Sequence, residues 1–443
     1  MSPSCDAFNL TRKVTNMRIA FFVDKFPSLS ETFILSQITG LIDRGYSVDI
    51  YADRPPRGIK MHAEVERYGL LHRTHYRPRM PQSRVFRAVK ALGLLLANWS
   101  KNRGSLLRSL NFLKYGKKAG SLKLLYWAIP LLNKGPYDII HCHFGPNGLM
   151  AVLLRDIGVL QGKMITTFHG FDVNKYAIRT VQDVYRSLFG KGDLYTANTT
   201  FTANKVVALG CPPDKLVKLP VGLDMSKFTF QPRKPFPGEA IRIITVARLV
   251  EKKGIEYSIR AAAKVAKEYP NLKYQIVGDG YLRQSLEDLI AELGVEDKVE
   301  LLGWKTQDEV RKLYKEAHIF VLSSVTASNG DQEGQGLVLQ EAQAMGLPVL
   351  STLHNGIPDG VLDGKSGFLV PERDVNALAE KMSYLIEHPE IWGEMGRAGR
   401  VHVEDHYNCD KLNDRLVEIY RELTDLDLRH PHSNDTVLNK SRL

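Results

Sequence analysis

Acidic residues are missing from a long stretch of this 443-residue chain. No Asp or Glu stands between Arg67 and Tyr137, while 15 Lys and Arg fall between Arg67 and Lys134. Of the 60 basic residues in the chain, the remainder holds 45 against 49 acids, so this one segment carries the net positive charge. Cysteine is scarce too. Cys5, Cys142, Cys211 and Cys409 are scattered, with no C-x-x-C pair. That argues against a zinc site or a disulfide framework and fits a reducing cytosol. No apolar run reaches the 18 or so residues of a membrane span; the longest are Ala91–Trp99 and Leu124–Leu132. No G-x-G-x-x-G follows the first strand pattern, which disfavours a dinucleotide oxidoreductase. Residues 1–16 are polar and lack the apolar stretch of a signal peptide, so they read as a disordered tail, with Met17 an alternative start.

The acid-free segment is not simply basic. It carries Phe86, Leu92, Leu95, Leu96, Trp99, Leu106, Leu107, Leu110, Phe112, Leu113, Tyr126 and Trp127. Cations mixed with aromatic and aliphatic residues point to amphipathic helices at an anionic membrane surface. The competing reading is an ordinary core with solvated cations. Nucleic-acid binding is disfavoured, because no nucleic-acid motif accompanies the charge.

A chain this long exceeds one hydrophobic core, so two domains are expected. Each half alternates strand and helix. In the first, Arg18–Val23, Val48–Ala52, Ile139–His143, Met164–Phe168, Leu194–Ala197 and Lys215–Leu219 read as strands, with a helix at Glu31–Arg44. A linker spans 221–238; Pro232, Pro235 and Pro237 lie in it and Pro220 just before it. In the second half, strands are expected at Ile241–Val246, Leu272–Val277, Val299–Leu302, Ile319–Leu322, Pro348–Ser351 and Gly367–Val370. Helices are expected at Ile255–Tyr269, Leu282–Leu293, Thr306–Lys315, Leu337–Met345 and Val375–Glu387. The pattern is α/β, and ligands of open parallel sheets bind beyond the carboxyl ends of the strands.

Chemistry-bearing residues fall at those ends. Arg248 follows a strand and Lys253 precedes the next helix, where a planar fork and a point charge can neutralise a diphosphate. Gly278-Asp279-Gly280 and Gly303-Trp304 are further strand-end turns. Then comes Asp331-Gln332-Glu333-Gly334-Gln335-Gly336-Leu337, with Glu341 two turns into the helix. The glycines let backbone N–H groups approach a ligand, and the helix start favours ligand oxygens. Glu333 and Glu341 can then line one pocket, one at each end of an elongated polar ligand.

In this order, Arg248…Lys253-Gly254, Val277-Gly278-Asp279-Gly280, Leu302-Gly303-Trp304 and Glu333-x7-Glu341 resemble the donor domain of family-4 retaining glycosyltransferases. So do His354-Asn355-Gly356-Ile357-Pro358 and the run Asp363–Pro371. The resemblance covers about Met17 to Tyr420. It implies a GT-B fold, two Rossmann-like doubly wound domains facing a central cleft, and a retaining, nucleotide-sugar-dependent hexosyltransferase. By that resemblance Arg248 and Lys253 hold the leaving diphosphate, and Glu333 hydrogen-bonds the transferred sugar. Glu341 binds the ribose hydroxyls, and the loop Gly334, Gln335, Gly336, Leu337 presents N–H groups. Gly278, Asp279 and Trp304 complete the donor site, the backbone near Trp304 facing the base. No Asp-x-Asp motif stands at these strand ends. The cation pair makes a metal unnecessary for charge neutralisation, so no cofactor is expected.

In the first half, Phe168-His169-Gly170-Phe171-Asp172 matches the family's H-G-x-D turn. This implies that His169 contacts the donor sugar near its anomeric carbon. Asp172 either orients that loop or meets acceptor. His141 and His143 alternate on one strand; a structural or acceptor-facing role is expected for both. The family's Gly-Gly loop after the first strand is replaced by Lys25-Phe26-Pro27-Ser28-Leu29-Ser30-Glu31-Thr32-Phe33. Ser28, Ser30 and Thr32 supply hydroxyls there in place of glycine, although Ser30 is equally a helix N-cap. With Glu31 and His143, Ser28 and Ser30 are assigned to the acceptor side of the cleft.

The F-P-x-x-S-E-T-F-I string, His143-Phe144-Gly145-Pro146 and Ser324–Gly334 resemble a subgroup, the colanic-acid and amylovoran biosynthesis glycosyltransferases of bacteria. This implies a lipid-linked glycan acceptor and a cytoplasmic enzyme, peripheral on the inner face of the cytoplasmic membrane. The organisation expected is an acceptor-side domain 17–220 with the basic segment 67–134, linker 221–238, and donor domain 239–400. A C-terminal helix 401–425 crosses back to the first domain, and tail 426–443 follows. The rivals are a GT-B nucleotide-sugar epimerase, against which stand the Glu pair and the basic segment, and a non-catalytic carbohydrate-binding scaffold.

Overall fold

The computed structural model describes residues 17–28, 31–54, 61–176, 183–234 and 238–429. Ser30 lies outside them. Seven strands form one all-parallel sheet: β1 (Arg18–Lys25), β2 (Ser47–Arg54), β3 (Thr74–Tyr76), β4 (Ile139–His143), β5 (Lys163–Phe168), β6 (Leu194–Ala197) and β7 (Leu216–Lys218). Their order is β3-β2-β1-β4-β5-β6-β7. Six more form a second parallel sheet: β8 (Ile241–Val246), β9 (Leu272–Val277), β10 (Val299–Gly303), β11 (Ile319–Leu322), β12 (Val349–Thr352) and β13 (Gly367–Val370). Their order is β10-β9-β8-β11-β12-β13. Strand order reverses between β1 and β4 in one sheet and between β8 and β11 in the other. Such switch points open a crevice at the carboxyl ends of the strands.

The strands run as continuous apolar stretches because helices cover both faces. Ile19, Phe21, Ile139 and Ile165 pack with Ile34, Ile38 and Leu41 of the helix Thr32–Asp43 on one side. Ala20, Phe22, Ile140 and Cys142 pack with Leu106, Leu124 and Leu125 of the basic segment on the other. The second sheet has its own core, including Ile243, Ile244, Phe320, Leu339, Leu350 and Trp392.

Most expected elements stand within one or two residues of their sequence assignments. The short edge strand β3, inside the basic segment, is an addition: three residues give no alternation to read. The expected helix Ile255–Tyr269 ends at Val265. Helix Gln307–Glu316 starts on a capping box, with Thr306 accepting from Glu309 N–H while the Glu309 carboxylate accepts from Thr306 N–H.

The single C-terminal helix expected at 401–425 is two. Trp392–His406 packs on the second unit, and Cys409–Arg429 returns to the first. Leu416, Val417, Ile419 and Tyr420 enter the first core, and Arg44 Nε donates to Asp414 at 2.7 Å. Because this helix runs to Arg429, the tail assigned from 426 starts later; its remainder lies outside the described residues.

The basic segment folds as four short helices: Arg84–Asn98, Arg103–Ser109, Phe112–Gly120 and Lys123–Ala128. It divides by face. Ala91, Leu106, Tyr115, Ala119, Leu124, Leu125 and Tyr126 are core. Val85, Phe86, Val89, Leu92, Leu96, Leu107, Phe112 and Leu113 are exposed, Phe86 at 70 % and Leu113 at 87 %. No helix among the described residues is long and apolar enough to cross a membrane.

Candidate active site

The strand-end turns of the second sheet are sewn together through their backbones. Ala247 N–H donates to Val277 O at 2.9 Å, Leu249 N–H to Asp279 O at 3.0 Å, and Gly278 N–H to Gly303 O at 2.9 Å. Gly278 has φ 136°, and a β-carbon there would lie 1.8 Å from Ala247 O. A side chain at this turn is thus excluded by neighbouring backbone before any ligand is considered. Asp279 is exposed and caps its own turn, accepting from Gly280 N–H at 2.8 Å. Arg248 is exposed just past β8, and Trp304 is 71 % exposed just past β10.

The segment Glu251–Lys253 fastens to the loop after β11. Glu251 accepts from Ser328 N–H at 2.6 Å and Ser328 Oγ–H at 2.7 Å. Lys252 Nζ donates to Gln332 O at 3.1 Å and pairs with Asp331 at 3.3 Å. Lys253 forms an ion pair with Glu333; the two side chains are only 11 % and 14 % exposed. Burial pushes the Glu333 carboxyl up, but Lys253 and then Lys252 overcome it and hold the group down at about 2. Two sequence-assigned residues therefore meet as a charged pair, already ionised.

Glu341 lies on the helix Leu337–Ala344, where Tyr314 O–H donates to it at 3.3 Å. Burial raises its carboxyl to about 7, against the lowering effect of Tyr314, Arg311 and Lys253. Leu337 and Glu341 border a cavity of about 600 Å³, whose other walls include Thr32 and Phe33 of the first unit, Lys227 of the linker, and Arg311.

Gln335 is assigned through its backbone N–H, and its side chain is engaged elsewhere. Its side chain is buried and clamps the linker, accepting from Val221 N–H at 2.8 Å and donating to Val221 O at 2.9 Å. The side chain is buried and turned to the linker, so it is the backbone of Gln335 that faces a donor. Its motif neighbour Gly336 has φ 74° and opens the helix, a conformation that favours glycine.

From the first sheet, the turn after β5 meets this loop. A β-carbon at Gly334 would stand 3.1 Å from His169 O, and one at Gly170 3.8 Å from Gly334 Cα. Asp172 is buried. It accepts from Gly145 N–H at 3.0 Å, His169 N–H at 3.1 Å and Gly170 N–H at 3.0 Å. Burial raises its carboxyl to about 6 despite those donors. Of its two assigned roles the geometry fits loop orientation, since three backbone donors occupy its oxygens.

The His169 ring is boxed by Phe33 (4.7 Å between centroids), Phe144 (4.8 Å) and His143 (5.3 Å, stacked). His143 Nδ1 lies 3.0 Å from His169 Nε2. Burial lowers the His169 ring to about 3, so it is neutral. His143, assigned to the acceptor side, does not line the cleft. It is wholly buried behind His169, stacked on His141 at 4.6 Å, because alternation on β4 turns both rings onto one covered face. His141 is buried too, bonded to Tyr420 O–H at 2.5 Å and Thr167 Oγ1 at 2.7 Å.

Ser28 and Glu31 border a small pocket with Lys25, Phe26 and Pro27. Glu31 is the N-cap of the helix Thr32–Asp43. Burial, then Asp24, raises its carboxyl to about 7.

Two side chains that brace the Glu333 loop were not singled out in the sequence. His354 and Glu372, from the turns after β12 and β13, hold Glu333 from behind (below); the sequence places them 18 residues apart with no spacing signal. Among the described residues no group of three or more His, Cys, Asp or Glu side chains converges as a metal site. One Asp-x-Asp string exists, Asp425-Leu426-Asp427, and it lies in the C-terminal helix away from any strand end.

Two parallel-sheet units with strand ends meeting across a cleft define the GT-B class. Among solved structures, that of Anabaena HepE in complex with UDP and glucose aligns with TM-score 0.66 at 16 % identity, covering 92 % of this chain and all of that one. Sucrose-phosphate synthase from Thermosynechococcus elongatus aligns with TM-score 0.65 at 19 % identity, covering 93 % of this chain and all of that one. At these identities the likeness is one of fold. Residues 30–227 match the model of Glycosyltransferase Family 4, and residues 226–402 that of glycosyl transferases group 1. The amylovoran biosynthesis glycosyltransferase AmsK of Erwinia amylovora is 37 % identical over 411 residues, covering 92 % of this chain and all of AmsK. WcaL of Salmonella typhimurium, named for glycosyl transfer in colanic acid biosynthesis, is 36 % identical over 414 residues with the same coverage. The chain belongs to the family-4 glycosyltransferases.

Proposed function

We propose that this enzyme moves a hexose from a nucleoside-diphosphate sugar to a lipid-linked oligosaccharide during exopolysaccharide assembly, with retention of configuration and without a required metal. The observation that carries the donor assignment is the Lys253–Glu333 pair, placed opposite the His169 turn. The bond from the sugar's anomeric carbon to the diphosphate oxygen breaks, one from that carbon to an acceptor hydroxyl oxygen forms, and the hydroxyl's proton passes to the departing diphosphate. Lys253 and Arg248 stabilise the charge that builds on the departing diphosphate. Glu333, held ionised by Lys253, accepts hydrogen bonds from the sugar's hydroxyls. His169, neutral in its aromatic box, meets the sugar from the other wall. Glu341 takes the ribose hydroxyls beside the large cavity. The names of AmsK and WcaL support the pathway.

A screen of UDP- and GDP-sugars by thermal shift and by donor hydrolysis tests the reading. One sugar nucleotide should raise the Tm and be turned over. NMR of the first transfer product from an α-linked donor should show an α-linkage, and EDTA should leave the rate unchanged. A β-linked product or loss of transfer in EDTA overturns retention or metal independence respectively. An epimerised nucleotide sugar with no transfer would favour the epimerase reading.

The exposed apolar residues of the basic segment support a peripheral site on the cytoplasmic face of an anionic membrane, where a prenyl-linked acceptor is met. The name of a Mycolicibacterium smegmatis relative, 28 % identical over 296 residues, says that protein is a GDP-mannose-dependent mannosyltransferase of a phosphatidylinositol mannoside.

A further inference from the structure

Glu333 is fixed by its backbone as well as by its carboxylate. Glu333 N–H donates to His354 Nε2 at 3.1 Å, and Glu333 O accepts from Asn355 Nδ2 at 3.0 Å. His354 is wholly buried. Its other ring nitrogen, Nδ1, lies 2.5 Å from Glu372 Oε1. The second Glu372 oxygen accepts from Thr326 N–H at 2.8 Å. Thr326 follows β11, His354 follows β12 and Glu372 follows β13, so one carboxylate ties three adjacent strand ends together.

The proton positions follow from the partners. An ionised carboxylate only accepts, so the hydrogen between Glu372 and the ring is on Nδ1. That leaves Nε2 bare, and a bare Nε2 is what the Glu333 N–H needs. The opposite tautomer would set Nε2–H against N–H, two donors face to face, and leave a buried amide without an acceptor. Glu372 thus selects the ring form that can hold Glu333. Arg373, next in sequence, has φ 63°, a left-handed conformation costly for a non-glycine residue, and its guanidinium bonds Thr326 O. The backbone is bent where the Glu372 carboxylate is aimed inward.

We infer that His354 and Glu372 act as one positioning unit for glycosyl transfer: Glu372 fixes the tautomer of His354, and His354 sets the backbone from which Glu333 reaches the transferred sugar. This rests on the placement of Glu333 in the donor site. Neither residue touches substrate. Arg248 and Lys253 lie past the end of β8, and Glu341 stands two turns into the helix that follows Glu333, so the unit controls the sugar end of the donor and not the nucleotide end.

The test is a double-mutant cycle in the full chain. His354→Phe keeps the ring volume and removes both nitrogens; Glu372→Leu removes the carboxylate. Each should lower kcat roughly 10- to 100-fold, the scale of a small misplacement of a reacting partner. The Kd for the free nucleoside diphosphate should stay within about threefold. Because the two act as a unit, the double variant should be no worse than the weaker single variant by more than about twofold. Glu372→Gln keeps an oxygen for Nδ1–H but sets its NH2 against Thr326 N–H, so it should recover only part of the loss and be less impaired than Glu372→Leu and His354→Phe. Nitrogen-15 NMR of histidine-labelled enzyme should show an Nδ1–H tautomer at the resonance lost in His354→Phe.

Multiplicative losses in the double variant, a parallel loss of nucleotide binding, an Nε2–H tautomer, or an unimpaired His354→Phe would each overturn the inference. If the Leu variant does not fold, the Gln variant and the tautomer decide. A donor site wrongly assigned would show itself separately, as full transfer by Arg248→Ala and Lys253→Ala.

Discussion

The backbone of Gly334 in the second unit rests on the carbonyl of His169 in the first, so closely that a β-carbon at Gly334 would stand 3.1 Å from that oxygen. The two residues come from the loop after β11 and from the turn that faces it across the cleft. Gly334→Ala forces the His169 carbonyl to yield by a few tenths of an ångström, and Gly334→Val by more. Transfer should fall severalfold in the first and more than about tenfold in the second. Nucleotide binding, which is assigned to the second unit, should be little changed. Unimpaired transfer by Gly334→Val, with its Tm unchanged, would show that this contact is not part of the working geometry.

Arg248 and Lys253 share a proposed role but not an environment, and their alanine variants should differ. Arg248 is exposed, so Arg248→Ala should leave the Tm unchanged while lowering transfer by about 10²–10³. Lys253→Ala should cost transfer similarly and also stability. It strips a largely buried carboxylate of its partner, a loss of about 3–5 kcal/mol for such pairs. Adding Glu333→Gln to Lys253→Ala should restore the Tm without restoring transfer. A double variant no more stable than Lys253→Ala would contradict the pairing.

Glu341 should give nucleotide binding a pH dependence. Its carboxyl sits at about 7 in the folded chain because of burial, above the ordinary carboxylate value of 4.5. Between those values the folded form holds a proton that the unfolded form has lost, so this group's contribution to stability falls as pH rises through that window. Binding changes in the opposite sense. Only the ionised carboxylate accepts from both ribose hydroxyls, so nucleoside-diphosphate affinity should rise from pH 6 to 8. Glu341→Gln should flatten the curve. Glu31, also raised to about 7, is the control: Glu31→Gln should preserve the dependence. A slope unchanged in Glu341→Gln would remove Glu341 from ribose recognition.

The strand ends were legible because parallel strands covered on both faces read as short apolar runs, and the residues just after them are where ligands bind. That logic located Arg248 and Lys253, the glycine loop feeding a helix pointed to Glu333, and the family resemblance to His169; the structure brings Lys253 to Glu333 and Gly334 to His169. It could not tell which side chains of a binding loop turn inward. Gln335 belongs to the motif, yet its amide is spent on Val221. His143 shares a strand face with His141, and that face is covered by the aromatic box and by Tyr420 from the far end of the chain. Gly278 is assigned to the donor site, while the contact that excludes a side chain there is Ala247 O. His354 and Glu372 were invisible as a pair. Their meeting depends on β12 and β13 lying side by side, which no local pattern announces.

The basic segment makes the most exposed prediction. Its cations stand among side chains that a purely solvated surface would not display: Val85, Phe86, Val89, Leu92 and Leu96 on helix Arg84–Asn98, and Phe112 and Leu113 at the start of the next but one. Isolated exposed apolar residues are ordinary, but seven of them on two helices, set among cations, favour a partner surface. The lack of carboxylates between Arg67 and Tyr137 makes an anionic bilayer the matching surface. Each Lys or Arg near such a surface contributes roughly 1 kcal/mol, falling off within a Debye length. Binding to vesicles rich in anionic lipid should therefore be tight at low salt and weak at high salt. Two sets of changes separate the contributions. Replacing Lys114, Lys117 and Lys118 with Glu should abolish the lipid-charge dependence. Replacing Val85, Phe86 and Leu113 with Ser should weaken binding at every salt concentration, because apolar insertion is not screened. Neither set touches the donor site, so hydrolysis of the nucleotide sugar in the absence of acceptor should be unchanged, while transfer to a vesicle-borne acceptor should fall. Equal flotation on neutral and anionic vesicles, or full vesicle-borne transfer by both variants, would leave the patch without a membrane role.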